Sequence, residues 1–134
     1  MIPTRLVKFA LIALALAVVG HSAAALGQGI RQVTVIAIPS HWNAPCPAHL
    51  RFVARVGIEK APMLVNYEWT RSDRGKSAAR VVKVTDPSAR ELTLVEKWQP
   101  GSKGERLEVW ERIRVRSGTA DVSAQSPSVS VVCR

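Results

Sequence analysis

Residues 50–58 read LRFVARVGI, and every second residue of this stretch is apolar. The alternating set is Leu50, Phe52, Ala54, Val56 and Ile58. Arg51 and Arg55 take the other parity. A period of two is typical of a β-strand with one face on a core and the other in water, because successive side chains point to opposite faces. The stretch therefore predicts a half-buried strand.

Six further stretches alternate in a similar way, at residues 32–38, 64–71, 80–85, 91–98, 105–116 and 129–133. Turn-forming residues separate them, such as SDRG at 72–75 and PGSKG at 100–104. From residue 26 onward we find no apolar stripe of helical period. We therefore predict an all-β domain of seven strands. Both faces of residues 32–38 are apolar enough to be covered, and Trp69, on the third strand, is the expected core tryptophan.

The first 25 residues have the composition of an export signal. Arg5 and Lys8 precede an apolar run at residues 9–19, and the small residues SAAA follow at 22–25. This order is that of a secretory signal peptide. A membrane anchor is the alternative, but a spanning helix needs about 20 apolar residues, and His21 interrupts the segment. We expect cleavage after Ala25, no stable membrane span afterwards, and a domain at residues 26–134 in the periplasm or outside the cell.

Two cysteines, Cys46 and Cys133, remain in that domain. An even count in an exported chain favours one disulfide, with two free thiols as the alternative. Closing so long a loop contributes about 4–5 kcal/mol in the chain-entropy model. Seven strands, a disulfide and a tryptophan on the third strand indicate a seven-stranded immunoglobulin-like β-sandwich. The cysteines are displaced from the positions they occupy in antibody domains.

The sequence around the third strand resembles a known pattern. Cys46-Pro47 is followed by YEWTRSD at residues 67–73, by Trp98 and by VVC at residues 131–133. This resembles a bacterial secreted immunoglobulin-like domain of uncharacterised function, in which Tyr-x-Trp-x-Arg-Ser-Asp lies between a Cys-Pro and a late cysteine. Arg74 stands where that group commonly has glycine, and Gly75 follows one position late. The resemblance implies the fold and the exported location, and it implies no activity.

The residue types that catalysis requires are sparse. His41 and His49 are the histidines of residues 26–134, and neither has a nucleophile motif around it. Together with the two cysteines they have no recognised zinc-ligand spacing. Glu96 and Glu111 interrupt the apolar parity of their strands, which indicates bulges or the points where the strands leave the core. We therefore predict a non-catalytic protein with no metal and no cofactor; an unrecognised hydrolase is the alternative.

Charge and one tryptophan indicate a binding role. Without Arg5 and Lys8, the 19 basic residues fall to 17 against 10 acidic ones, a net charge of +7. Trp110 lies on the polar parity of residues 105–116 together with four arginines: Arg106, Arg112, Arg114 and Arg116. An exposed tryptophan among arginines can stack on sugars or on a partner surface. The alternatives are that Trp110 packs on the arginine stems and that the charge serves solubility alone.

A basic exported domain favours anionic partners. We predict a monomeric binding or envelope-associated module for an anionic envelope polymer. The alternative is a partner or inhibitor domain that binds an acidic protein. A pilus-like subunit that completes its fold by strand addition is a weaker reading, since seven strands leave none missing. No nucleic-acid motif is recognisable, and export makes nucleic acid an unexpected partner.

Overall fold

The computed structural model describes residues 29–134. The predicted signal peptide and its cleavage site lie outside these residues. The described part contains strands and no helix, as the period-two pattern predicts, and so no helix in it could cross a membrane. Its ten strands are β1 (Ile30–Ile38), β2 (His41–Ala44), β3 (Leu50–Ile58), β4 (Met63–Arg71), β5 (Arg80–Val84), β6 (Glu91–Trp98), β7 (Arg106–Val109), β8 (Glu111–Ser117), β9 (Ala120–Gln125) and β10 (Val129–Cys133).

The strands form three sheets in a sandwich-like arrangement. One sheet has the order β1-β3-β6, a second β2-β10-β7, and a third β5-β4-β8-β9. All neighbours are antiparallel except β2 and β10, which run parallel. The chain passes from the second sheet to the third at the short break between β7 and β8. It returns to the second sheet at the short break between β9 and β10.

The structure has ten strands where the alternation predicts seven, and each difference has a local cause. His41–Ala44, between the predicted strands 32–38 and 50–58, pairs with β10. Ala120–Gln125, between the predicted strands 105–116 and 129–133, carries Ala120, Val122 and Ala124 inward, a pattern too weakly apolar to stand out. Trp110 divides the predicted strand 105–116 because its backbone bonds to Ser72. The Trp110 N–H donates to the Ser72 hydroxyl, and the Ser72 N–H donates to the Trp110 carbonyl.

The alternating residues of β3 form the centre of the core. The five alternating residues Leu50, Phe52, Ala54, Val56 and Ile58 are at most 1% exposed, and Trp69 of β4 is fully buried in the same core. Ile113, Val115, Val129 and Val131 complete the opposite side. The expectation that both faces of β1 are covered is wrong: Ile36 and Ile38 are 46% and 40% exposed. In the described chain no third layer packs on that face.

The predicted disulfide between Cys46 and Cys133 is present, with 5.1 Å between the Cα atoms. It ties the loop after β2 to the last residue of β10. The loop between β6 and β7 packs directly on it. Gly101 has a φ of +97°, and a Cβ atom at this position would lie 2.6 Å from the Cys133 sulfur. Glycine is therefore required here by its backbone conformation and by space.

The turn after β4 contains Arg74, which stands where the resembled secreted domain commonly has glycine. Arg74 has a φ of +73°, the left-handed conformation that glycine adopts readily. The Asp73 carboxylate accepts the Gly75 N–H at 2.8 Å, and the Arg74 N–H reaches the Arg71 carbonyl at 2.9 Å. Arg74 thus takes the left-handed position itself, and the turn is kept with glycine one place later.

Candidate functional site

The residues predicted to form a binding face lie along the β7–β8 line. Exposure alternates through this region: Val109, Glu111, Ile113 and Val115 are buried, while Arg106, Arg112, Arg114 and Arg116 are exposed. Trp110 is half-buried on the same parity as the arginines. We call these five residues, Arg106, Trp110, Arg112, Arg114 and Arg116, the arginine face.

The flanking strands give the arginine face a polar surround. On β4, Asn66, Glu68 and Thr70 stand opposite Arg116, Arg114 and Arg112. On β9, Asp121, Ser123 and Gln125 stand opposite the same three arginines in the same order. Central strand β8 thus carries a row of three cations between two strands with polar side chains on the same side.

The three β8 arginines are not equally free. Arg114 donates two hydrogen bonds to Asp121, from Nε to Oδ1 at 3.0 Å and from Nη2 to Oδ2 at 2.6 Å. This bidentate contact lowers the pKa of Asp121 and holds the guanidinium in place. Among residues 29–134, Arg112 and Arg116 have no carboxylate within 4.0 Å. Arg112 and Arg116 are therefore the β8 members of the face that can pair with an external anion, and Arg106 of β7 is likewise exposed with no ion pair to a described carboxylate.

The structure also contains a charge cluster around two buried glutamates, Glu96 and Glu111, that the sequence does not reveal. Glu111 of β8 is completely buried, and its Oε1 accepts a hydrogen bond from Arg71 Nε at 3.3 Å. Arg71 Nη2 lies 3.6 Å from Glu96 of β6, and Arg80 of β5 lies 3.5 Å from the same carboxylate. Arg71 also stacks on Trp98, 5.2 Å from the ring centroid. The cluster joins β5 and β6, which are edge strands of different sheets.

The interpretation of Glu96 as a bulge or a strand exit is therefore wrong. The β3–β6 register passes through Glu96 without a shift. Both Glu96 and Glu111 stay on the inward parity because Arg71 reaches between the sheets to meet them. Arg71 lies 25 and 40 positions away along the sequence, so local periodicity contains no signal of the pairing.

Burial dominates the electrostatics of this cluster. Desolvation, with a further contribution from the charge of Glu96, raises the pKa of Glu111 to about 7, while Arg71 opposes the shift. Glu111 Oε2 and Trp69 Nε1 are both buried without a hydrogen-bond partner among residues 29–134. A general acid must come within hydrogen-bond distance of its substrate, and Glu111 is sealed from solvent. As arranged, the cluster places Arg71 in contact with carboxylates of both layers.

The two histidines lie at one end of the sandwich. His41 and His49 are exposed, and the His49 ring lies 6.0 Å from that of Trp42. Trp42 donates from Nε1 to the Pro45 carbonyl at 3.3 Å. Over the described range, no three histidine, cysteine or carboxylate side chains cluster as metal ligands would.

Comparison with known proteins adds little to this picture. No protein-family model matches the chain, and no curated protein matches it. Among solved structures, the chain is similar to an alkylpurine DNA glycosylase of Pseudomonas fluorescens bound to DNA containing an abasic site analog, with 11% sequence identity and a TM-score of 0.35. The match covers 72% of this chain and 30% of the glycosylase chain. A similarity at this level assigns neither a family nor an activity.

Proposed function

We propose that this protein is an exported, non-catalytic module that binds an anionic envelope polymer through the arginine face. The observation that carries the proposal is the pair Arg112 and Arg116, exposed on a central strand and without a carboxylate within 4.0 Å in the described chain. Repeating anionic groups on a polymer suit cations at a regular spacing. Arg112 and Arg116 are four residues apart on one strand, about 13 Å at the usual rise.

Export supports the anionic polymer as the partner class. The disulfide is compatible with an oxidising compartment, and the first 25 residues have the order of a signal peptide. The periplasm or the medium is the location we propose. Polar neighbours on β4 and β9 suit a hydrated ligand better than an apolar protein surface.

We infer an immunoglobulin-like arrangement for the sandwich, as in the bacterial secreted domain that the sequence resembles. The support is topological. If β1 and β2 count as one strand that changes sheets, β7 and β8 as one, and β9 and β10 as one, the ten strands occupy seven positions. The parallel contact of β2 with β10 is the consequence of that change of sheet.

The test of the function is retention on an immobilised acidic polysaccharide. The double variant Arg112→Gln/Arg116→Gln should elute at a lower salt concentration than the native protein, and Trp110→Ala should lower that concentration further, because Trp110 belongs to the same face. The matched control is Lys60→Gln/Lys103→Gln, which removes the same charge from exposed loops.

Equal elution of the two double variants would show that net charge alone governs retention and would overturn the proposal. The native chain could instead recover one stoichiometric acidic protein that Arg112→Gln/Arg116→Gln fails to recover. That result would replace the polymer-binding proposal with the hypothesis of a partner or inhibitor domain. The control matters because a protein of net charge +7 binds any anionic matrix to some extent.

A further inference from the structure

A second surface lies on the opposite side of the molecule, on the face of the β1-β3-β6 sheet that points away from the core. The registers align Ile36, Val53 and Val95 in a row across all three strands. Ile36 and Val95 are 46% and 45% exposed, and Ile38 beside them is 40% exposed. We call this surface the amphipathic face. Its centre is an apolar row that no described part of the chain covers.

Basic hollows lie on both sides of the apolar row along the strand direction. A hollow of about 290 Å³ on one side is lined by Arg51 and Lys97, which stand opposite each other in the register. A second hollow of about 290 Å³ on the other side is lined by Arg31, Arg55 and Arg90. Glu91 is the carboxylate in its lining, 4.0 Å from Arg55. Cations therefore border the apolar row on two sides.

This combination is absent from the arginine face. Leu64 and Val81 are exposed on that side, at 55% and 64%. They lie on β4 and on edge strand β5, where Lys83 stands opposite Leu64 and Asn66 stands opposite Val81. The β8 arginines have polar neighbours instead of an apolar row. The two faces therefore suit ligands of different chemistry, although both are basic.

We propose that the amphipathic face docks on an anionic phospholipid surface. Aliphatic side chains at an interface gain from contact with the acyl boundary, and cations beside them attract anionic headgroups. Arg51 and Arg55 lie four residues apart on β3, about 13 Å, so separate headgroups can occupy the two hollows. A second copy of the chain fits less well, because stacking two such faces would set cations against cations.

The experiment measures binding to vesicles of phosphatidylglycerol mixed with phosphatidylcholine, against vesicles of phosphatidylcholine alone. The protein is purified as the cell exports it, with the same N terminus verified for every variant. Ile36→Ser/Val95→Ser should lower the partition coefficient about tenfold, from the loss of two half-exposed aliphatic contacts. Arg51→Gln/Lys97→Gln should lower it by a similar or larger factor, on the basis of the attraction of each basic residue to an anionic leaflet.

Matched controls come from outside the amphipathic face. Leu64→Ser/Val81→Ser removes side chains at least as exposed, and Lys60→Gln/Lys103→Gln removes the same charge from exposed loops; both should bind vesicles within about twofold of the native protein. Equal binding to the two kinds of vesicle, or a loss confined to the control variants, would overturn the proposal. So would a dimer in solution that Val95→Ser dissociates. The polysaccharide assay uses other residues, so either proposal can fail without the other.

Discussion

Replacing Glu111 by glutamine tests the buried charge cluster. Glu111 is fully buried beside Arg71, Glu96 and, at longer range, Asp73. Glutamine keeps the shape of the protonated acid, and its amide oxygen can accept the hydrogen bond from Arg71. The substitution therefore removes the titration and leaves the packing of β8 unchanged.

The pKa of Glu111 sets the size of the effect. A carboxyl with a pKa of about 7 in the folded protein and its ordinary value of 4.5 in the unfolded chain favours folding most when it is protonated. Between these two values the folded state holds a proton that the unfolded state has released, so stability falls as pH rises. The full difference is about 3 kcal/mol, since each pKa unit corresponds to about 1.4 kcal/mol. Below pH 4.5 this contribution is fully present, and above pH 7 it is lost.

Urea unfolding at a series of pH values, with the disulfide kept oxidised, measures this difference. The free energy of unfolding of Glu111→Gln should be close to native at pH 4 and should exceed it by up to about 3 kcal/mol at pH 8. Glu91→Gln is the control, because Glu91 is an exposed carboxylate in a single 4.0 Å contact. Parallel pH profiles for the native protein and Glu111→Gln would refute the reasoning.

Two further predictions concern the disulfide and the loop that covers it. Gly101→Ala and Gly104→Ala both place a side chain at positive φ, but only at Gly101 would the new atom meet the two sulfurs, at 2.6 and 3.0 Å. Thermal or urea unfolding should therefore show Gly101→Ala less stable than Gly104→Ala by about 1–3 kcal/mol; equal losses would contradict the packing of the loop. The double variant Cys46→Ala/Cys133→Ala opens a loop closed across 87 positions and should lose about 4.5 kcal/mol of stability in the chain-entropy model; a loss below about 1 kcal/mol would show that the bridge constrains little.

The strands that sequence reasoning located best are those with large apolar side chains in strict alternation. The predicted 50–58 and 91–98 coincide with β3 and β6, and the predicted 64–71 begins one residue late. The strands it missed are short or carry small apolar residues. β2 and β9 exist because neighbouring strands offer them backbone hydrogen bonds, which is a property of the assembled sheets and not of their own composition.

The two candidate surfaces also differ in how much of each the sequence predicts. Parity within one strand was enough to place the β8 arginines on one side, because alternation is a local property of an extended chain. The amphipathic face needs the register of three strands at once, since Ile36, Val53 and Val95 come from separate elements. Without the register, the apolar character of Ile36 and Ile38 predicts that both side chains are buried.

The order of residues by itself determined that the chain alternates with period two, that it carries two cysteines able to pair, and that its charge is strongly positive. Tertiary structure alone decided that Glu96 and Glu111 turn inward, that Arg71 joins them, and that an apolar row between basic hollows faces outward. The physical reason is distance along the chain. Backbone sterics and side-chain parity act between adjacent residues, whereas desolvation, ion pairing and exposure depend on which remote segments the sheets bring into contact.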